Sequence, residues 1–343
     1  MKYLLFTFLL CLGISTSNAQ DQQYQASLIG FYNLENLFDT LDTPNKHDSE
    51  FTPTGSKAYN TEIYLDKLSK LDKVISQIGT NLSPDGLAVL GVCEVENRKV
   101  LEDLVTQEGI AGRNYKVVHH ESADFRGIDN ALLYNPKYFT VSDSRAVEVS
   151  LPEVDGKKRT TRDILHVTGS LSGETIHILV NHWPSRSGGE KKSAPKRAEA
   201  AKTCRKIVDE IYEKNPDAQI IVMGDMNDDP HNKSLTRYLR AKGDKNQIRE
   251  NDLYNPFFDM HKGGNGTLCY RGNWNLFDQI IVSEDLMDEE GFYYKRSYIF
   301  KKNWMFTKEG QYKGYPLRTF GGSAYLGGYS DHFPSYIVLV KKI

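Results

Sequence analysis

Gln219-Ile-Ile-Val-Met-Gly-Asp-Met-Asn-Asp-Asp-Pro230 opens as a continuous apolar run and closes on a cluster of turn-forming polar residues. A short apolar run bounded by turn residues reads as a strand buried on both faces. A carboxylate and an amide where such a strand ends, here Asp225 and Asn227, stand where an α/β scaffold presents its reactive groups. The same pattern recurs on either side. Residues 86–92 are a second buried strand, followed by Glu94 and a helix over 98–107, and residues 175–182 are a third, ending in Asn181 and His182. Nearer the start, residues 25–34 form a strand ending in Asn33 and Glu35. Leu65, Leu68, Leu71, Val74 or Ile75, and Ile78 then recur at helical spacing. Further strands are predicted over 115–119, 130–134, 139–149, 164–169, 277–283, 292–300 and 335–340. A helix over about 194–214 should turn Ala201, Cys204, Val208 and Ile211 inward. Many strands with a few interposed helices predict a mixed α/β sandwich, two sheets packed together with helices on their outer faces.

The N-terminus carries a different signal. Lys2 precedes an apolar run over residues 3–13, and the small-residue stretch 15–19 places Ser17 and Ala19 at the positions preferred before cleavage. The expectation is a signal peptide over residues 1–19, an exported (secreted or periplasmic) mature chain, and one domain over 20–343. The run is too short to span a bilayer, and no later segment approaches spanning length. Leu10 is too bulky to precede a lipid-attachment cysteine at Cys11. Cys93, Cys204 and Cys269 remain, which excludes a disulfide scaffold and leaves a single bridge open. A formal charge of -2 supplies no general attraction for phosphates, so local clusters or a bound cation must provide it.

Each polar group has an ordinary reading when taken alone. Glu94 suits the first turn of a helix, Asp225 to Pro230 suit a turn, and Asp331 or His332 could satisfy backbone groups. Six such groups at strand ends demand more. Hydrolysing a phosphate ester near neutral pH needs a cation, a carboxylate for the attacking water and a proton donor for the leaving oxygen. Magnesium asks for one or two carboxylates and keeps several waters, so Glu94 with Asn33 or Glu35 would suffice. Paired cysteines and a His-x-x-x-His helix are missing, which argues against zinc.

Phe31-Tyr-Asn-Leu-Glu-Asn-Leu-Phe38, Gly91-Val-Cys-Glu-Val-Glu-Asn97, Asn181-His-Trp-Pro-Ser-Arg186, Gly224-Asp-Met-Asn227, Phe277-Asp-Gln-Ile-Ile-Val282 and Ser330-Asp-His-Phe-Pro334 together resemble the ordered motifs of the endonuclease/exonuclease/phosphatase superfamily. The resemblance implies a four-layer αββα sandwich of two mixed, largely antiparallel sheets flanked by helices, and a phosphoesterase dependent on Mg2+, with Mn2+ or Ca2+ as alternatives. It further implies that Glu94 binds the metal with Asn33 and Glu35 beside it and Asp331 completing the network. Asp225 would orient or deprotonate water, Asn227 would hold the scissile phosphate, and His332, supported by Asp278, would act as acid or base. His182 resembles the histidine of secreted deoxyribonucleases and sphingomyelinases, where abasic-site repair enzymes carry a tyrosine-containing segment. Arg126-Gly127 resembles a substrate-side loop.

The strongest basic cluster comprises Arg186, Lys191, Lys192, Lys196, Arg197, Lys202, Arg205 and Lys206, against Glu190 and Glu199. Asn181, Arg126, Arg186 and Arg197 are the candidate substrate contacts; Lys202 to Lys206 read as a solvated face. Lys295, Arg296, Lys301 and Lys302 interleave with aromatics, as in a strand with a basic outer face or a base-stacking surface. The expected activity is a nuclease or general phosphodiesterase acting as a monomer on nucleic acid or another phosphodiester. A phosphatase or lipid-headgroup phosphodiesterase is the second reading. No expected catalytic position holds an inert residue, which argues against a non-catalytic binding module. Residues 263–272 and 307–329 would set the substrate.

Overall fold

Strand alternation builds the layers. In β1 (Tyr24–Leu37), Ile29 and Phe31 pack on one face and Leu28, Tyr32 and Leu34 on the other, all fully buried. A strand buried on both faces lies in an inner layer. The computed structural model describes residues 22–153, 156 and 159–343; the predicted leader over 1–19 lies outside the described residues.

One sheet orders β14 (Tyr293–Ile299), β17 (Ser335–Lys342), β1, β2 (Val89–Val95), β4 (Asp129–Tyr134) and β3 (Lys116–His119). The other orders β5 (Phe139–Val147), β6 (Ile164–Leu171), β7 (Glu174–His182), β8 (Gln219–Asp225), β13 (Asp278–Ser283), β10 (Leu253–Tyr254) and β9 (Ala241–Lys242). Two small hairpins, β11 (Leu268–Tyr270) with β12 (Asn273–Asn275) and β15 (Phe320–Gly321) with β16 (Ala324–Tyr325), stand apart.

Three apolar interfaces join four layers. Ile29, Phe31 and Val89 meet Val180, Ile221, Met223 and Ile280 between the sheets. Leu28, Leu34 and Val92 pack on α1 (Thr61–Ile75) and α2 (Arg98–Val105) through Leu68, Leu71, Val74, Leu101 and Leu104. Leu179, Ile220, Val222 and Ile281 receive Ala201, Cys204, Val208 and Ile211 of the long helix Glu190–Tyr212. This is the αββα sandwich, with both sheets mixed and mostly antiparallel.

Two parallel pairs, β1 with β2 and β7 with β8, set the position of the site. A parallel pair needs a crossover, and these crossovers carry α1 and Glu190–Tyr212 over the outer faces. Four carboxyl ends therefore open toward one edge of the sandwich. The antiparallel neighbours start there too: Asp278 pairs with Asp225 in register, and Ser335 with Phe31.

Three details depart from the sequence pattern or settle what it left open. Leu65 is 54% exposed, because the buried stripe of α1 runs through Tyr64, Lys67 and Leu68 instead. Cys93, Cys204 and Cys269 are buried and unbridged. Lys295 and Arg296 are exposed on β14, an edge strand, where charges oppose edge-to-edge pairing. Among the described residues no helix is long and apolar enough to cross a membrane.

Gly91 marks the closest approach of the sheets. A Cβ there would lie 2.4 Å from Met223 Sδ and 3.3 Å from the Phe31 ring. Gly91→Val is expected to destabilise the fold by about 1–3 kcal/mol through overpacking, and Met223→Ala in the same chain should recover part of that. Urea unfolding of the two variants checks it; an unchanged midpoint for Gly91→Val would refute the close approach.

Candidate active site

Backbone bends aim the side chains. Glu35 and Asn36 end β1 with φ of 49° and 54°, Glu94 sits at a register shift in β2 with φ 59°, and Asn227 follows β8 with φ 48°. Left-handed backbone is rare for these residue types outside turns and bulges, and bulges re-aim side chains beside active sites. Gly224 has a related role. A Cβ there would lie 2.2 Å from the Asn181 carbonyl oxygen on β7, so glycine lets β8 carry Asp225 close beside β7.

Asp225 occupies the centre. Its Oδ1 accepts from the Asn227 backbone N–H at 2.9 Å, and its Oδ2 accepts from Asn33 Nδ2 at 3.1 Å. Around that carboxylate the remaining groups stand back: His182 Nε2 is 3.6 Å and His332 Nε2 3.9 Å from Asp225 Oδ2, while His182 Nε2 is 3.8 Å from Glu94 Oε1. Those spacings are too long for direct hydrogen bonds and suit polar groups that share an interposed oxygen. His332 is aimed by Asp278, whose Oδ2 lies 2.7 Å from Nδ1, and its backbone N–H donates to Ser330 Oγ.

Electrostatics separates the two histidines. Burial, then Arg162, Arg126 and His332, push His182 well below its usual pKa, so its ring is neutral near pH 7. Burial also opposes charge on His332, but Asp278 and Asp225 outweigh it and hold the ring well above the usual value. Burial raises the Asp225 carboxyl to about 7, with His332 pulling down and Asp278 pushing up.

Beside this centre lies a carboxylate group. Glu35, Asp331 and Glu94 all act on the buried Lys67 ammonium. Glu94 Oε2 accepts from the Asn36 N–H at 3.0 Å, and Glu35 Oε2 accepts from the Thr319 N–H at 2.7 Å. Arg318 bonds Asp331 and has its Nε 3.6 Å from Glu35 Oε1. Burial and then Asp331 raise Glu35 to about 7, with Lys67, the Thr319 N–H and Arg318 pulling it down. An all-oxygen set of carboxylates fits a hard divalent cation that keeps most of its waters. Asp225, Asp278 and His332 also offer three donor atoms within 4.8 Å of one another. There, against burial, Asp278 and Asp225 hold the His332 ring well above its usual pKa, and a protonated ring cannot ligate, which leaves the oxygen-only carboxylate group as the candidate cradle.

Of the thirteen residues expected from sequence, Asn33, Glu35, Glu94, His182, Asp225, Asn227, Asp278, Asp331 and His332 converge here. Asn33 joins Asp225 to Glu35, whose backbone N–H it accepts at 2.9 Å. Asn227 donates through Nδ2 to the Trp183 carbonyl at 2.9 Å. Arg126 stands partly exposed at the mouth, its Nη2 3.8 Å from Glu94 Oε1.

Three expected substrate contacts face inward instead. Asn181 is fully buried, donates to the Leu179 and Met223 carbonyls and accepts from Trp183 Nε1. Arg197 is 0% exposed, with Nε 2.7 Å from Asp228 Oδ1 and its other nitrogens on Ser193 Oγ and nearby carbonyls. Arg186 engages the Asn227 carbonyl, Asp228, Asp229 and Asn232. Asp228 and Asp229, which read as surface turn residues, are buried, and a buried carboxylate demands a cation. The two arginines supply it and act as internal counterions.

Three contributors escaped the sequence reading. Lys67 left one signal, a charge on the helical stripe between Tyr64 and Leu68. Arg162, buried against Asp124 and the Trp183 carbonyl, and Arg318, inside the irregular 307–329 segment, left none.

The chain matches the profile of the Endonuclease/Exonuclease/phosphatase family over residues 28–341. The chain belongs to that family. With it comes the reaction class: family members are metal-dependent phosphoric ester hydrolases, and so is this enzyme. Solved structures share the fold. A D. rerio TDP2 complexed with single strand DNA product matches at 14% identity, covering 92% of this chain and 98% of that one, with a TM-score of 0.53. An endonuclease/exonuclease/phosphatase family protein from Bacteroides thetaiotaomicron matches at 17% identity, covering 94% and 97%, with a TM-score of 0.53. A mannosyl-6-phosphatase from the same organism matches at 16% identity, covering 91% and 99%, also at 0.53. No curated protein sequence matches.

A ligand that binds only the folded state raises the melting temperature with its concentration. Millimolar magnesium or manganese is expected to raise the melting temperature by several degrees, chelator should reverse it, and Glu94→Ala should abolish it. An equal shift in Glu94→Ala would remove the carboxylate group as the cation site.

Proposed function

We propose that this enzyme is an exported, monomeric, magnesium-dependent phosphodiesterase that hydrolyses nucleic acid by attack of water. The observation that carries the reading is the pair of histidines on Asp225, His182 at 3.6 Å and His332 at 3.9 Å, with Glu94 3.8 Å from His182 and a set of oxygen donors suited to a cation beside them.

A cation held by Glu94, Asp331 and Glu35 would neutralise charge developing on the phosphate. The protein's own groups do the rest. Asp225, oriented by Asn33 and the Asn227 N–H, positions the attacking water and accepts its proton. His332, steadied by Asp278, presents Nε2 to the phosphate or the departing oxygen, and neutral His182 offers Nε2 on the other side. Arg126 meets a flanking phosphate at the mouth.

Nucleic acid is favoured over a small phosphate ester by the rim. Phe125, Tyr270 and Tyr312 are exposed large aromatics, Phe125 beside Arg126 in the chain, Tyr270 at the end of β11 and Tyr312 in the segment that carries Arg318. Phe125 precedes Arg126 and stacks on His47 at 4.0 Å, Arg271 lies over the Tyr270 ring, and Tyr312 shares a segment with Arg318. Aromatic platforms interleaved with cations stack bases along a strand. The TDP2 relative, solved with a single strand DNA product, is compatible with this reading.

Purified mature protein should nick plasmid DNA or cut RNA with magnesium or manganese and lose that activity in chelator. Asp225→Ala and His332→Ala should each lower kcat by about 10²–10⁴-fold with the fold retained. Release of phosphate from sugar phosphates, or of the headgroup from sphingomyelin, without strand cleavage would replace this reading with the phosphatase or lipid one.

A further inference from the structure

A cavity of about 210 Å³ opens beside Glu35. Phe51 and Phe320 form two sides, Arg318 and Lys57 bring cations, and Glu35 and Thr319 border the carboxylate group. The walls are held firmly. Phe51 stacks on Phe38 at 4.4 Å and meets Tyr59 edge-on at 5.8 Å, and Tyr59 contacts Phe320 at 6.1 Å.

Lys57 is the unusual member. Its side chain is only 15% exposed, and its ammonium lies over both rings, 5.2 Å from Phe51 and 5.0 Å from Phe320. Glu50 Oε2 is 3.3 Å away and the Gly322 carbonyl accepts at 3.2 Å. An ammonium carries three donors, so one is left for a guest. Lysine is normally solvated; here the two ring faces and Glu50 hold the ammonium in place beside a polar cavity. Arg318 also lines the cavity, bonded to Asp331.

We infer that this cavity is a subsite for a second phosphate, the one next to the scissile phosphate on a nucleotide strand, gripped by Lys57 and Arg318. The inference rests on the nucleic-acid reading for the identity of its ligand. It divides the labour at the mouth: Arg126 on the Glu94 side and the Lys57–Arg318 pair on the Glu35 side hold the strand across the centre. A substrate with one phosphate would leave the cavity empty.

Equilibrium binding in chelator tests this without turnover, using a fluorescent thymidine dinucleotide with no terminal phosphate, with a 5′-phosphate, or with a 3′-phosphate. One phosphorylated form is expected to bind about tenfold more tightly than the bare dinucleotide, as a charge-assisted contact predicts. Lys57→Gln should erase that gain and Lys57→Arg should retain it, which separates loss of charge from disturbed packing. No gain from either terminal phosphate, or an undiminished gain in Lys57→Gln, would overturn the subsite. Strand cleavage assayed in parallel keeps the two ideas apart. A nuclease lacking the gain loses only the subsite; phosphate-dependent binding with no cleavage of nucleic acid leaves the cavity a phosphate site and removes the nuclease reading.

Discussion

Asn33 and Asp225 belong to different sheets and lie far apart in the chain, yet their side chains meet in a hydrogen bond of 3.1 Å. That contact depends on how closely the two inner faces pack. Gly91 lets Met223 approach, Ile29 and Phe31 interlock with Ile221 and Met223, and the strand ends above them are drawn within reach. A slightly wider sandwich would leave two half-sites, one with carboxylates and one with Asp225 and Asp278. The central core is thus the frame of the catalytic geometry as well as a source of stability.

Charge balance is the second constraint. The site edge gathers many buried acids, and the fold answers each group differently. Asp228 and Asp229 are satisfied by Arg197 and Arg186 and become part of the scaffold. Asp124 is paired with Arg162, which also braces the Trp183 carbonyl beside Asn227. Glu35, Glu94 and Asp331 face Lys67 and Arg318, and Glu94 also has Arg126 3.8 Å away at the mouth. Asp278 is matched to a histidine, so its charge orients a ring. A carboxylate fully paired within the protein is scaffold; one left partly uncompensated and open to the cleft is available for chemistry.

Much of this was legible beforehand because strands buried on both faces leave an unmistakable apolar run, and because reactive groups sit where those runs stop. The strands at 86–92, 175–182 and 219–223 and the residues after them needed only local pattern. Arg186 and Arg197 turn inward for one reason. An arginine in a basic run reads as a surface charge, and only the burial of Asp228 shows that Arg197 is an internal counterion. Lys67 illustrates the converse, a charge on an apolar helical stripe that makes sense only once Glu35 and Asp331 are seen behind it.

By itself the sequence determined the main strands and helices along the chain, their sandwich arrangement and the chemical types at the strand ends, since hydrophobic alternation and turn chemistry act over a few residues. Tertiary structure alone decided which charges face one another, because pairing in a low-dielectric interior depends on distances between segments separated by scores of residues. It thereby decided that Arg318 and Lys57 stand at the cleft while Arg197 lies sealed behind it.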